Sequence, residues 1–104
     1  MTRIQHDYKI INYQEGQIVF HEGHAYHGLF YIEEGKVKLY KCLSDGREQM
    51  IRIAGKEEFI GYASLFSYKK YKATAAVVEN AAIAFIPRQD LLKILGSENN
   101  EDLF

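Results

Sequence analysis

The clearest pattern in the chain is the alternation that begins at Lys36 and runs to Leu43. Val37 and Leu39 fall on one side of an extended backbone, and Lys36, Lys38 and Tyr40 fall on the other. Successive strand side chains point to opposite faces, so a period of two predicts a strand with one buried face. Gln49 to Ala54 alternates again, setting Ile51 and Ile53 against Arg52. Between the two runs, Ser44, Asp45 and Gly46 form a turn of the Asp-Gly kind, which predicts a β-hairpin. Further runs of strand formers cover Lys9 to Tyr13, Gln17 to Phe20, Gly28 to Glu34, Phe59 with Ile60, Ala73 to Val78, and Ala81 to Ile86. Gly16, Gly23, Gly35, Gly46, Gly55 and Gly61 mark the corners, and Glu79-Asn80 separates the last two runs. From Pro87 the period lengthens: Leu91, Leu92 and Leu95 share one helical face, Pro87 suits the first turn, and Gly96 closes it. Ser97 or Asn99 can cap a further helix toward Phe104.

Eight short strands with glycine at most turns and helices gathered toward the end predict a mainly β protein. The expected architecture is an eight-stranded antiparallel β-roll or jelly roll (a double-stranded β-helix) with short flanking α-helices. Residues 1–104 form a single domain, with the roll over about 9–87, a helix over about 88–95 and the start of another over about 97–104. A chain of 104 residues can bury one core and little more.

Composition narrows the functional classes. Nearly half of the residues are apolar (47%), with eight Tyr and six Phe, which is the make-up of a folded protein. A formal net charge of −1 supplies no global basic field for nucleic acid or acidic membranes. Cys42 is the only cysteine, so no intrachain disulfide can form, and it is expected to be a structural strand residue rather than a redox sensor. No signal-like apolar run follows Met1 and no segment approaches membrane-spanning length, so the expected setting is the cytoplasm, without a membrane partner.

The stretch from Glu58 to Ala75 carries the candidate chemistry. An apolar lead-in reaches Gly61, Ala63 to Phe66 can form one helical turn, and Lys69, Lys70 and Lys72 make a basic tip before a small-residue strand. Free N–H groups at a first helical turn, beside a cation, suit an anion. Other constellations read more plainly. His21, His24 and His27 lie three apart around a turn, where strand geometry does not converge them on a metal, so they are read as surface loop residues. Lys36, Lys38 and Lys41 with Tyr40 read as a solvated hairpin face rather than a nucleic-acid surface. Tyr62, Phe66, Tyr68 and Tyr71 are read as packing under the basic tip. No nucleophile elbow, Walker loop, paired-carboxylate motif or CxxC is present, so no enzymatic role is expected.

Three stretches together resemble a known family: Glu15 to Gly23 (EGQIVFHEG), Leu29 to Tyr40 (LFYIEEGKVKLY) and Asp45 to Gln49 continuing to Ile53. Phe59-Ile60-Gly61, Ala73-Thr74-Ala75 and Ile86-Pro87-Arg88 extend the likeness. It is to the cyclic-nucleotide-binding domain of the CRP/FNR transcription regulators, and it runs from about Tyr13 to Leu95. The resemblance implies an eight-stranded roll with a phosphate-binding cassette at the stretch just described. It maps the ligand site to Gly61, Tyr62, Ala63, Ser64, Lys72, Ala73 and Thr74.

In family members that bind cyclic nucleotide, a Glu follows the cassette glycine, an Arg stands ten residues beyond it, and a small hydroxyl residue comes next. Tyr62, Lys72 and Ala73 occupy those places here. The carboxylate acceptor is gone, the cation lacks the two-pronged donor geometry, and Ala73 has no hydroxyl, which Thr74, one place on, supplies only if its strand direction allows; the N–H groups of Ala63 and Ser64 and the Ser64 hydroxyl remain near Lys72. The expected reading is therefore a ligand-sensing domain with a degenerate cassette. Its effector would be a small anion or phosphate-containing molecule rather than a cyclic nucleotide, and no cofactor is assigned. The resemblance further implies a homodimer in the full-length regulator and DNA contact only through a C-terminal domain beyond these residues. The chain is accordingly expected to be a fragment or truncated form of a longer regulator. The alternative is a free-standing small-anion-binding or protein-interaction domain without a DNA-binding role.

Overall fold

The computed structural model of the chain describes residues 8–61 and 70–90. The cassette turn expected at Ala63 to Phe66, most of the helix expected over 88–95 and all of that over 97–104 lie outside the described residues.

Six strands make one antiparallel sheet: β1 (Ile10–Tyr13), β2 (Ile18–Phe20), β3 (Gly28–Cys42), β4 (Glu48–Ala54), β5 (Phe59–Ile60) and β6 (Thr74–Pro87). The main path runs β1-β6-β3-β4, with β2 also on β6 and β5 also on β3. Residues 88–90 are helical and leave β6 directly after Pro87.

The register shows how one sheet becomes a roll. The first part of β3 lies between β5 and the last part of β6, which in turn pairs with β1. The second part of β3 lies between β4 and the first part of β6, which pairs with β2. The two halves meet where register irregularities fall between Ile32 and Val37. Gly35 sits at that bend with φ of 98°, and a Cβ there would stand 2.5 Å from the Asn80 carbonyl oxygen and 2.6 Å from Ala81.

This arrangement accounts for the difference between eight expected strands and six observed. Gly35 and Glu79-Asn80 are bends within continuous strands, not ends of strands. β3 and β6 deform in step at the same level, so neither ladder has to stop. The fold is the expected β-roll, reached with two long strands in place of four short ones.

One core serves both halves. Ile32, Ile60, Ile83, Ile86, Val37 and Val77 are the largest fully buried side chains, and they come from β3, β5 and β6. Branched residues suit the pleated inner faces of two sheet halves packed against each other. Phe20, Phe30 and Tyr71 extend this cluster toward one end of the roll.

The predicted hairpin is present as β3 and β4, with Val37 opposite Ala54, Lys38 opposite Ile53 and Leu39 opposite Arg52. Directly opposed residues share a face, so Arg52 joins Leu39 on the inner side while Ile53 joins Lys38 outside. The alternation is therefore real, but Arg52, not the isoleucine pair, faces inward. Ile51 and Ile53 are exposed, as is Met50. A bulge between Leu39 and Tyr40 in the ladder inserts Ile51 as the extra residue. Tyr40 departs from the simple alternation too: it is buried, with the Lys38 ammonium 5.1 Å from its ring centroid. Because Ile53 is exposed on an edge strand, Ile53→Thr is expected to change the free energy of unfolding by no more than about 0.5 kcal/mol. Urea denaturation of the two proteins would check this.

Candidate functional site

A cavity lies at the end of the roll where β5 leaves the core and the chain returns into β6. It measures about 340 Å³. Phe20, Leu39, Ile60 and Tyr71 give it an apolar floor, and Lys41, Arg52 and Lys72 bring three cations to it. Gly61 and Ala73 complete the approach from either side of the cassette. A volume in this range accommodates a small organic ligand.

Each wall is positioned by a local device. Gly61 turns the chain out of β5 with φ of 94°, a conformation that L side chains rarely adopt. Tyr71 fixes the returning chain. Its amide donates to the His24 carbonyl at 3.0 Å, and its carbonyl accepts from the Gly23 amide at 2.9 Å. The Tyr71 hydroxyl donates to the Gly28 carbonyl at 3.0 Å and accepts from the Gly28 and His27 amides at 3.2 and 3.3 Å. The ring stacks on Phe20 at 4.2 Å between centroids. Burial raises the phenol pKa of Tyr71, and the two amide donors pull it partly back. A neutral, clamped tyrosine thus sets where Lys72 and Ala73 lead into β6.

The cations differ in how they are held. Arg52 reaches from β4 to the β5 lead-in, with Nη1 2.6 Å from Glu58 Oε1 and Nη2 donating to the Phe59 carbonyl at 3.3 Å. Lys41 and Lys72 have no ion-pair partner among the described residues. Elsewhere on the sheet cations are matched: Lys36 with Glu79, Lys38 with Glu48, Arg47 with Asp45 and Lys56 with Glu34. Arg52 is likewise paired with Glu58, so Lys41 is the hairpin cation left without an ion-pair partner among the described residues, and it lies at the cavity.

Of the residues expected at the site from sequence, Gly61, Lys72 and Ala73 line this cavity. Thr74 is placed apart from it: the residue is buried, and its Oγ1 accepts from the Glu22 amide at 2.9 Å. Tyr62, Ala63 and Ser64 lie outside the described residues. Lys41, Arg52 and the floor residue Tyr71 were not among the expected site residues. For Arg52 the signal was its position opposite the inward-facing Leu39, which only the hairpin register discloses.

The three loop histidines are exposed, with the rings of His21 and His24 4.8 Å apart. Among the described residues no group of three potential metal ligands converges. Cys42 is free and exposed at the end of β3. Of the four tyrosines and phenylalanines grouped at the cassette tip, Tyr71 is packing, and the other three lie outside the described residues.

The profile of the cyclic nucleotide-binding domain matches residues 10–98, nearly the whole length. The chain belongs to that family. A relative is the cyclic AMP receptor protein of Thermus thermophilus, 28% identical over 83 residues that make up 80% of this chain and 38% of the relative. The solved structure of the Thermus thermophilus catabolite activator protein superposes with a TM-score of 0.80 at 26% identity, covering 86% of this chain and 42% of that one. Both are CRP-type regulators, and the chain spans about two-fifths of their length. The same domain also occurs beside an enzyme. The cAMP-bound form of the EAL enzyme Bd1971 matches with a TM-score of 0.79 at 25% identity, over 88% of this chain and 24% of that one. Among the described residues no helix is long and apolar enough to cross a membrane.

Proposed function

We propose that the chain is the ligand-sensing domain of a CRP/FNR-type transcription regulator, with a cassette altered to take a small anion other than a cyclic nucleotide. The observation that carries this reading is the cavity itself, an apolar floor approached by Gly61 and ringed by Lys41, Arg52 and Lys72. Cyclic-nucleotide recognition by the family pattern needs a bidentate cation on the phosphate and a hydroxyl beside it. Here the cation is Lys72, the next residue is Ala73, and the hydroxyl that follows in sequence, on Thr74, is engaged by the Glu22 amide. Each charge-assisted hydrogen bond lost costs roughly 1.5–3 kcal/mol, so two such losses weaken binding by orders of magnitude.

Effector binding is the work of this domain in that reading, and DNA contact belongs to a separate domain of the regulator. The protein would act in the cytoplasm as a homodimer. Support for the regulator setting comes from the CRP-type relatives. Isothermal titration with cyclic AMP, cyclic GMP and inorganic phosphate tests the ligand assignment. Phosphate is expected to bind and both cyclic nucleotides to bind no better than phosphate. Lys72→Ala is expected to weaken phosphate binding by about tenfold or more. Micromolar affinity for either cyclic nucleotide overturns the reading, and an unchanged phosphate affinity in the variant moves the site elsewhere.

A further inference from the structure

The cavity at Gly61 has one charged corner, and the strand register sets where it lies. Tyr40 pairs with Thr74, so Lys41, the next residue of β3, comes level with Ala73 at the approach to β6, beside Lys72. Both lysines line the cavity, and neither has an ion-pair partner among the described residues. Arg52 reaches the cavity too, but its charge is met by Glu58 at 2.6 Å, and a further N–H goes to the Phe59 carbonyl. The lining therefore matches one anionic group, at the corner of Lys41 and Lys72.

Away from that corner Phe20, Leu39, Ile51, Ile60 and Tyr71 present an apolar surface. Tyr71 contributes only its ring, because its hydroxyl is engaged by Gly28 and His27. A sugar laid on this floor would find no partners there for its hydroxyls and would bear their desolvation cost. Ile51 is the telling residue. It is the extra residue of the bulge in β4, and a bulge re-aims a side chain. Here the bulge sets Ile51 against the cavity, yet the residue stays 49% exposed. A ligand with a hydrocarbon body would remove that surface from water. At about 30 Å³ per heavy atom, as in liquid water, the cavity holds roughly eleven heavy atoms, the size of an eight-carbon acid.

We infer that the cavity takes an organic acid with one anionic head and an apolar body, of the class of medium-chain carboxylic acids. The carboxylate sits against Lys72 and Lys41, and the chain lies over Leu39 and Ile60 toward Ile51. This rests on the reading of the cavity as an anion site and goes beyond it by naming the ligand class. Inorganic phosphate would meet the two lysines but leave the floor and Ile51 uncovered.

The test is titration calorimetry of the whole 104-residue chain with butyrate, octanoate, octanol and inorganic phosphate. Each buried methylene tightens binding by about fourfold, so octanoate is expected to bind at least about thirtyfold tighter than butyrate. Octanol, which lacks the charge, is expected to bind at least about tenfold more weakly than octanoate. Ile51→Thr is expected to weaken octanoate by about fivefold or more and to leave phosphate unchanged. Ile53→Thr makes the same change two residues on, outside the cavity, and should alter neither. Both isoleucines are exposed, so the fold survives either substitution. Equal binding of octanoate and butyrate overturns the inference while leaving the anion reading intact, provided phosphate still binds through Lys72. Octanoate binding that ignores Ile51→Thr, or that falls equally in Ile53→Thr, also overturns it by placing the chain elsewhere. So does a failure of octanoate to bind. Octanol binding as tightly as octanoate, with phosphate indifferent to Lys72→Ala, overturns the underlying reading of the cavity as well.

Discussion

Gly35→Ala is expected to destabilise the domain by about 3 kcal/mol or more. The backbone at Gly35 holds φ of 98°, and the methyl carbon would lie 2.5 Å from the Asn80 carbonyl oxygen and 2.6 Å from the Ala81 Cα. The obstructing atoms at Asn80 and the Ala81 Cα are backbone, so no side-chain rotation relieves the contact. Relief would need β3 and β6 to separate at the level where both bend. Urea unfolding should show a lower midpoint with a nearly unchanged slope, because the surface exposed on unfolding stays the same. A change below about 1 kcal/mol would show that the two strands are not closely apposed there.

Tyr71 and Tyr26 should respond oppositely to loss of the hydroxyl, although their rings lie 5.1 Å apart. The Tyr71 hydroxyl serves the Gly28 amide and carbonyl and the His27 amide. Tyr71→Phe strands buried polar groups and is expected to cost about 1–3 kcal/mol. The Tyr26 hydroxyl is buried without a hydrogen-bond partner among the described residues. Tyr26→Phe therefore removes an uncompensated desolvation cost and should be neutral, or stabilise by about 1 kcal/mol. Thermal unfolding of both variants checks the pair, at about 4–8 °C per kcal/mol for a domain near this size.

Alkaline pH adds a second handle on Tyr26. Burial, with a smaller contribution from Tyr71, pushes its pKa up from 10.0 to about 12. A phenol raised above its unfolded value favours folding fully below about pH 10, and that contribution is lost as pH rises through about 12. Stability should therefore fall across that window, and Tyr26→Phe should flatten the fall. An equal decline in both proteins would assign the alkaline transition to other groups.

Much of the roll was legible in the residue pattern because its signals are local. The Asp45-Gly46 turn, the alternation of Val37 and Leu39, and the glycine after Ile60 each act within a few residues. The bends were not, because Gly35 and Glu79-Asn80 look like ordinary breaks until their register shows them facing each other across two ladders. The orientation of β4 was equally hidden: Ile51, Arg52 and Ile53 alternate, and only the opposition of Ala54 to Val37 decides which side is inward. That same register carries Arg52 into the cavity. Lys41 reads as one more solvated hairpin lysine until its strand is placed beside the entry to β6. That Lys72 and Ala73 lie at the cavity could be read from their place after Gly61. Chemistry depending on which strands lie side by side could not.

The two long strands also set the order in which the chain can be built. β1 and β2 find their partners only on β6, and Ile10 waits for Ala84, roughly seventy residues later. At a synthesis rate of about 5–20 residues per second, that gap lasts several seconds. During it the β3–β4 hairpin can close on its own turn, whereas the first two strands have no edge to join. β6 is thus the last-arriving closure that lets the roll assemble as a unit. Pairings at this sequence separation place the domain among slow, millisecond-to-second folders.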